Sequence, residues 1–415
     1  MDRSTSTYTS LFALGAVALM TTTGCGILDD AADSISSSDL EPSPSLSGCY
    51  LLEQQHVNGG VDLDGCYHIV SHRSGSRSIR VDHGEVTIAP GSEFYFDSGE
   101  GIRFLQDSGD PAVLIAEGTE EEPILFSHYE DNASPGSWDG LYFEDTSGAE
   151  HVLDHVIIEQ GGGRNYSTRS RDNRQGGLVL DEEVRLTATN VTLRQNDHAG
   201  LAIQKDYHDQ TFENITIEDT AGYPLRIRAN HVPLLDDSFT IVDNEHQAIR
   251  VSDNHSFSDR DFTTDGTWPN IGLPYYVGRM EIRGDMTLEP GLTLYMASDH
   301  SSSGRWSVRE GGSLHAVGTA EEPIVFRGDI PGAGFWDDIR LDDSFSDRNE
   351  FQHVEIRDAE HGLRVNGFSK VTINDTLFAN MSRSVLRVDS DSEVSGCQGL
   401  SFQDVEGDEN HDACE

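Results

Sequence analysis

The stretch 161–176 (GGGRNYSTRSRDNRQG) gathers four arginines, Arg164, Arg169, Arg171 and Arg174, around Tyr166. Guanidinium forks pair bidentately with carboxylate or sulfate, and a tyrosine ring offers a flat face to a sugar. The segment therefore reads as a contact for an acidic polysaccharide. The competing reading is a loop that folds onto the protein's own carboxylates or stays mobile. Asp259, Asp261 and Asp265 precede Gly266 in a run that alternates carboxylates around Arg260, a chemistry suited to a hard cation. Ca2+ is the one cofactor the sequence suggests, but the spacing departs from a calcium loop and no glutamate closes it, so the alternative is a merely solvated acidic loop. His231, His255 and Asp253 offer imidazole and carboxylate ligands for a metal. The plainer reading is a turn-lining polar ladder, because Asp206, Asn230 and Asn254 beside them step by 24 residues.

That step belongs to the elements that must carry these groups. Val191-Thr192-Leu193, Ile215-Thr216-Ile217 and Phe239-Thr240-Ile241 form one column, and Leu201-Ala202-Ile203, Leu225-Arg226-Ile227 and Ile249-Arg250-Val251 form a second. Each triplet has apolar ends, the period of two of a half-buried strand, so its middle residue is expected to face water. A fixed period of this size with Asn, Asp and Gly turns predicts a parallel β-helix, in which each coil bonds only to its neighbours. A longer repeat overlies it. GEVTIAPG at 84–91 matches GDMTLEPG at 284–291, and GTEEEPILF at 118–126 matches GTAEEPIVF at 318–326, both at an offset of 200. Trp138-Asp139 and Trp336-Asp337, then His155 and His353, continue it at an offset of 198. Duplication at this level points to packing or turn bonding for both histidines. The offset then falls to 185 at Leu178 and Leu363, so the first half holds 13 additional residues (198 − 185) within 161–176. Residues 254–274 break the periodicity between halves at about 67–253 and 275–405.

Residues 11–20 (LFALGAVALM) behind Asp2 and Arg3 are apolar but well short of the ~20 needed to span a bilayer, and Gly24-Cys25 follows. The ending resembles the lipobox of bacterial lipoproteins, which implies a signal peptide over 1–25, lipid on Cys25 and a place at the outer membrane or cell surface. Ordinary secretion with loss of the leader is the alternative. Residues 26–48, rich in Ser and Asp, read as a disordered tether ahead of a folded region at 49–415. Cys49, Cys66, Cys397 and Cys414 make one close pair at each end, which predicts two disulfides stapling the ends of the solenoid. The formal charge is −45, from 73 acidic against 28 basic residues. Such a surface repels nucleic acid and anionic headgroups, and a monomer is expected.

The order V-T-I-x-P-G, then A-x-G-T-x-x-x-P-I-x-F, then a tryptophan and a strand resembles the right-handed parallel β-helix proteins of bacterial envelopes. The resemblance covers about residues 67–405. It implies an all-β, single-stranded solenoid and says little about activity, since that fold hosts lyases, hydrolases, adhesins and proteins without known activity. Pectin-hydrolysing relatives carry N-T-D, D-D, G-H-G and R-I-K. This chain has no N-T-D or G-H-G; its nearest approaches are Glu360-His361-Gly362, Arg226-Ile227-Arg228 and the pairs Asp236-Asp237 and Asp342-Asp343. The expectation is a non-catalytic envelope protein that binds glycan or another surface component. The alternative is a lyase or hydrolase acting on acidic polysaccharide, and a plain structural spacer is a third class.

Overall fold

The computed structural model divides into residues 1–32 and 33–415. In the second unit it describes residues 33–35, 39–70, 78–106, 109–164, 175–204, 209–252, 265–297 and 304–407. Short alternating stretches become strands, and among the described residues the strands build five sheets of 7, 8, 13, 6 and 5 members. The ladders run parallel, and the antiparallel contact among the described residues is the isolated bridge between Pro42 and Tyr50. Parallel neighbours cannot be joined by a tight hairpin. Here Cys66–Ile69 pairs with Glu93–Phe96, and Glu93–Phe96 with Ile124–His128, while the intervening Ile79–Val81 and Gly84–Ile88 join other sheets. The chain visits three sheets in turn and returns one layer further on, an arrangement compatible with a solenoid.

The triplets two dozen positions apart lie in register. Thr192 stands on Thr216 and Thr216 on Thr240, while Leu201 stands on Leu225 and Arg226 on Arg250. Inward-facing Leu141, Phe143, Leu178, Leu180, Leu201 and Ile203 are at most 3% exposed, each burial being worth about 1.5–3 kcal/mol. Aromatic rings stack from layer to layer, Phe94 on Phe126 at 4.9 Å and Phe104 on Phe143 at 5.0 Å. At the turns, Asn196 accepts from Gly161 N and donates to Ile158 O. Asn244 repeats this with Thr220 N and Ile217 O.

The long-range repeat has its counterpart in hydrogen bonds. Trp138 Nε1 donates to Glu159 O and Trp336 Nε1 to Arg357 O, both at 2.7 Å. His155 and His353 sit at φ near +49° and +48°, and their carbonyls accept from Ile124 N and Ile324 N. A β-carbon on Gly118 or Gly318 would come within 2.7 Å of those same carbonyls, which is why neither position tolerates a side chain.

The halves are nevertheless joined out of step. The 7- and 8-stranded sheets end at Gln210–Glu213 and Phe239–Val242, the 6- and 5-stranded sheets begin at Gly266–Trp268 and Met280–Ile282, and the 13-stranded sheet runs through both halves. Ile124–His128 belongs to the 8-stranded sheet, whereas its counterpart Ile324–Gly328 belongs to the long one. Gly140–Glu144 lies in the long sheet, whereas Asp338–Asp342 lies in the 5-stranded one. Between the halves, Trp268 is 1% exposed and packs on Tyr275 and Trp306, with Ile271 and Leu273 against the core.

Cys49 and Cys66 are disulfide-bonded with Cα atoms 4.4 Å apart. Of the stretch expected as tether, residues 39–48 lie against the first layer: Leu40 is 7% exposed and Ser43 Oγ bonds His68 Nδ1 at 2.8 Å. Asp33 and Ser34 pair with Val61 and Asp62. Cys25 and Cys414 lie outside the described residues. One expectation fails locally. Alternation predicts a water-facing Ala202, but Tyr142, Val179, Ala199 and Ala202 form a separate cluster with no exposed surface, although Tyr142, Val179 and Ala202 point away from the core.

Candidate functional site

The outer face of the 13-stranded sheet brings chemistry together that no single repeat contains. Strand alternation turns the middle residue of each triplet outward, so parallel register stacks Arg226 on Arg250, Arg250 on Tyr276, Tyr276 on Tyr295 and Tyr295 on Arg327. Layers are ~4.8 Å apart, which suits the packing of guanidinium on ring. Arg250 Cζ lies 4.4 Å from the Tyr276 centroid and Arg327 Cζ 5.8 Å from that of Tyr295. Beside this column Tyr223 stacks on His246 at 4.4 Å and leans towards Tyr276 at 5.7 Å.

Burial, and then repulsion from Arg250, lowers the Arg226 pKa to about 10, so Arg226 keeps its charge at neutral pH. Burial, then the charge of Asp329, pushes the Tyr276 phenol up to about 12, so it stays a neutral donor. Both ends of a polar ligand, acceptor-rich and ring-like, find partners along such a strip.

The column opens into a groove of about 670 Å³ whose lining includes Tyr295, Arg327, Glu355, Arg357, Asp358 and Asn380. Two of its three lining carboxylates, Asp358 and Glu355, are committed, while the third, Asp404, is exposed. Asp358 is 5% exposed and accepts from Gly328 N, Gly332 N and Asn380 Nδ2, which holds the 328–332 rim in place. Glu355 Oε2 accepts from Arg357 Nε at 2.8 Å.

The residues singled out in the sequence fall elsewhere. Arg164 Nη1 is 3.5 Å from Asp139 Oδ2, whose side chain is 4% exposed. Tyr166, Arg169, Arg171 and Arg174 lie outside the described residues, as do Asp206, Asp253, Asn254, His255, Asp259, Arg260 and Asp261. Asp265 Oδ1 accepts from Asp285 N at 2.9 Å. His231 is 1% exposed within the short helix Ala229–Leu234. Among the described residues no group of three His, Cys, Asp or Glu side chains is placed to hold a metal ion. Asp236 caps Ser238 N, and Asp342 accepts from Asn366 Nδ2 and pairs with Arg309. His361 is 5% exposed and meets Ser384 Oγ at 2.6 Å; burial, then Arg364, holds its pKa below the usual imidazole range. It stands in the turn before Leu363–Asn366, on a different sheet from Arg226.

Sequence reasoning passed over the Tyr and Arg column although two of its members, Arg226 and Arg250, stand at the centres of the triplets that define the repeat. Reading the middle residues as a column would have started it. No family model matches this chain, and neither does any curated protein or solved structure.

Proposed function

We propose that this chain is an exported, lipid-anchored, right-handed parallel β-helix that binds glycan along the outer face of its long sheet and does not cleave it. The observation that carries the reading is the in-register column Arg226, Arg250, Tyr276, Tyr295 and Arg327 opening into the groove. Aromatic faces take sugar rings, guanidinium groups take uronate or sulfate oxygens, and the column gives a linear chain a track along the stack. The scaffolding duties of Asp358 and Glu355 favour binding over cleavage, because a catalytic acid must be free to exchange a proton with substrate. The helical winding is supported by strands that pair with the third strand along, always in parallel.

The test is calorimetric titration of the intact protein with uronate oligosaccharides, for the parent and for a Tyr295→Ala/Arg327→Ser variant. Loss of at least about tenfold in affinity is expected, in line with one stacking contact and one charged hydrogen bond. Unchanged affinity removes the site. Unsaturated product absorbing in the ultraviolet, or new reducing ends, during the same incubation would replace binding with lyase or hydrolase chemistry. Cys25→Ser should move the protein from the membrane to the soluble fraction.

A further inference from the structure

We propose that the outer face of the 5-stranded sheet carries a second oxyanion site, formed by Arg305, Arg340, Arg364 and Arg387, that takes sulfate or carboxylate groups of an acidic polysaccharide. It shares no residue with the strip on the long sheet and stands or falls separately. The site is built around Asp338, whose side chain is 1% exposed. Asp338 Oδ1 lies 3.1 Å from Arg305 Nε, and Oδ2 lies 3.0 Å from Arg340 Nη2 and 2.9 Å from Arg364 Nε. Arg305 Nη2 also reaches Asp337 Oδ2 at 2.6 Å. Arg387 stacks on Arg364 and Arg364 on Arg340, and Arg387 is exposed with no ion pair among the described residues.

Four guanidinium groups thus share two carboxylates, a local excess of +2 (4 − 2) in a chain whose formal charge is −45. Like charges ~4.8 Å apart repel, and one buried Asp338 cannot neutralise three of them. Burial lowers the Arg364 pKa, and after the opposing pull of Asp338 the neighbours Arg340, Arg387 and Arg305 lower it further. Two polar groups lack acceptors. Ser307 Oγ is on the floor of the patch, 2% exposed and in register with Arg340, and neither it nor Arg340 Nε has a hydrogen-bond partner. An incoming oxyanion supplies both the missing charge and the missing acceptors. Three stacked arginines span two layers, ~9.6 Å, so a linear polyanion can engage them in succession.

The long repeat shows that this coat is particular to the second half. The first-half positions equivalent to Arg340, Arg364 and Arg387 are Tyr142, Val179 and Ala202 (offsets 198, 185 and 185), and those have no exposed surface.

The experiment measures the affinity of the full chain for a sulfated hexasaccharide and a uronate hexasaccharide at two salt concentrations. Variants are Arg387→Glu, Arg387→Lys and, as a charge control on the 8-stranded sheet, Thr240→Glu. Arg387→Glu should weaken binding at least about tenfold, Arg387→Lys much less, and Thr240→Glu under about twofold. The loss should persist in a Tyr295→Ala background, which separates this site from the long-sheet strip. The better of the two hexasaccharides tells whether sulfate or carboxylate is preferred. Arg387→Glu changes the charge by two and Thr240→Glu by one, so a loss for Arg387→Glu no more than about twice that for Thr240→Glu on a logarithmic scale would reduce the effect to net charge and overturn the site, and so would binding to poly-L-glutamate with neither glycan bound.

Discussion

Tyr142, Val179 and Ala202 in the first half and Arg340, Arg364 and Arg387 in the second occupy equivalent places on equivalent strands, with opposite surroundings. The first three have no exposed surface; Arg340 and Arg364 keep 17% and 21% of their side chains in solvent, and Arg387 is exposed. The strands beneath are alike, since Leu141 and Ile339, or Leu178 and Leu363, bury the same inward face. The extra 13 residues of the first half lie within 161–176. At their described ends Gly163 N donates to Trp138 O and Gly177 N to Ala199 O. The inside of a layer is set by packing and carbonyl bonding, which admit few residues, while the outside answers only to what meets it. A strip that is apolar must be covered, and one that is cationic must be left open.

Exchanging the coats tests this with the largest effect. Val179→Arg forces a guanidinium into a site without exposed surface and should cost about 3–5 kcal/mol by denaturant unfolding. Arg364→Val should cost much less, because Asp338 retains Arg305 and Arg340. Similar costs for the two would mean that the strips are not differently covered.

The halves also differ at a buried polar position. Leu114 N donates to His151 Nδ1 and Leu314 N to Asn349 Oδ1, both at 3.0 Å, and each side chain also meets a hydroxyl, Thr146 or Ser344. Burial depresses the His151 pKa to about 3, against ~6.5 in the unfolded chain. Between these values the unfolded state binds a proton that the folded state refuses. The His151 contribution is therefore complete above pH ~6.5 and falls as pH is lowered towards ~3, by about 2–3 kcal/mol at pH 4.5. His151→Asn, which installs the amide of the second half, should flatten that part of the pH–stability curve; an unaltered slope would place the acid sensitivity elsewhere. Smallest of all, Arg387→Ala should shift stability by no more than about 0.5 kcal/mol, which leaves its arginine free to serve a ligand.

The columns through Val191, Ile215 and Phe239 were legible because a parallel layer must return each inward residue to the same place, and here it does so every 24 residues. Asn196 and Asn244 stand at that same step through Thr220, and were missed because the polar column was read only through Asp206, Asn230 and Asn254. Outside about 191–251 the spacing is not constant: Ile124 to Val156 is 32 residues and Leu141 to Leu178 is 37. Arg250 to Tyr276 is 26 residues, Tyr276 to Tyr295 is 19 and Tyr295 to Arg327 is 32, because the number of residues between paired strands varies while the strand register is kept. The change of sheet between the halves was illegible for a related reason: the repeat reports which residues are equivalent, not which face they stack upon. Ala202 was misplaced because alternation tells the outside of a sheet from its inside but not whether something lies outside.

Thiol accessibility reads out whether equivalent outer positions are covered in one half and open in the other. Single Ala202→Cys and Arg387→Cys variants would be labelled under native conditions and compared with the parent. Covering that is relieved only by local opening predicts labelling at position 202 at least about 100-fold slower than at position 387; equal rates at the two positions would contradict it.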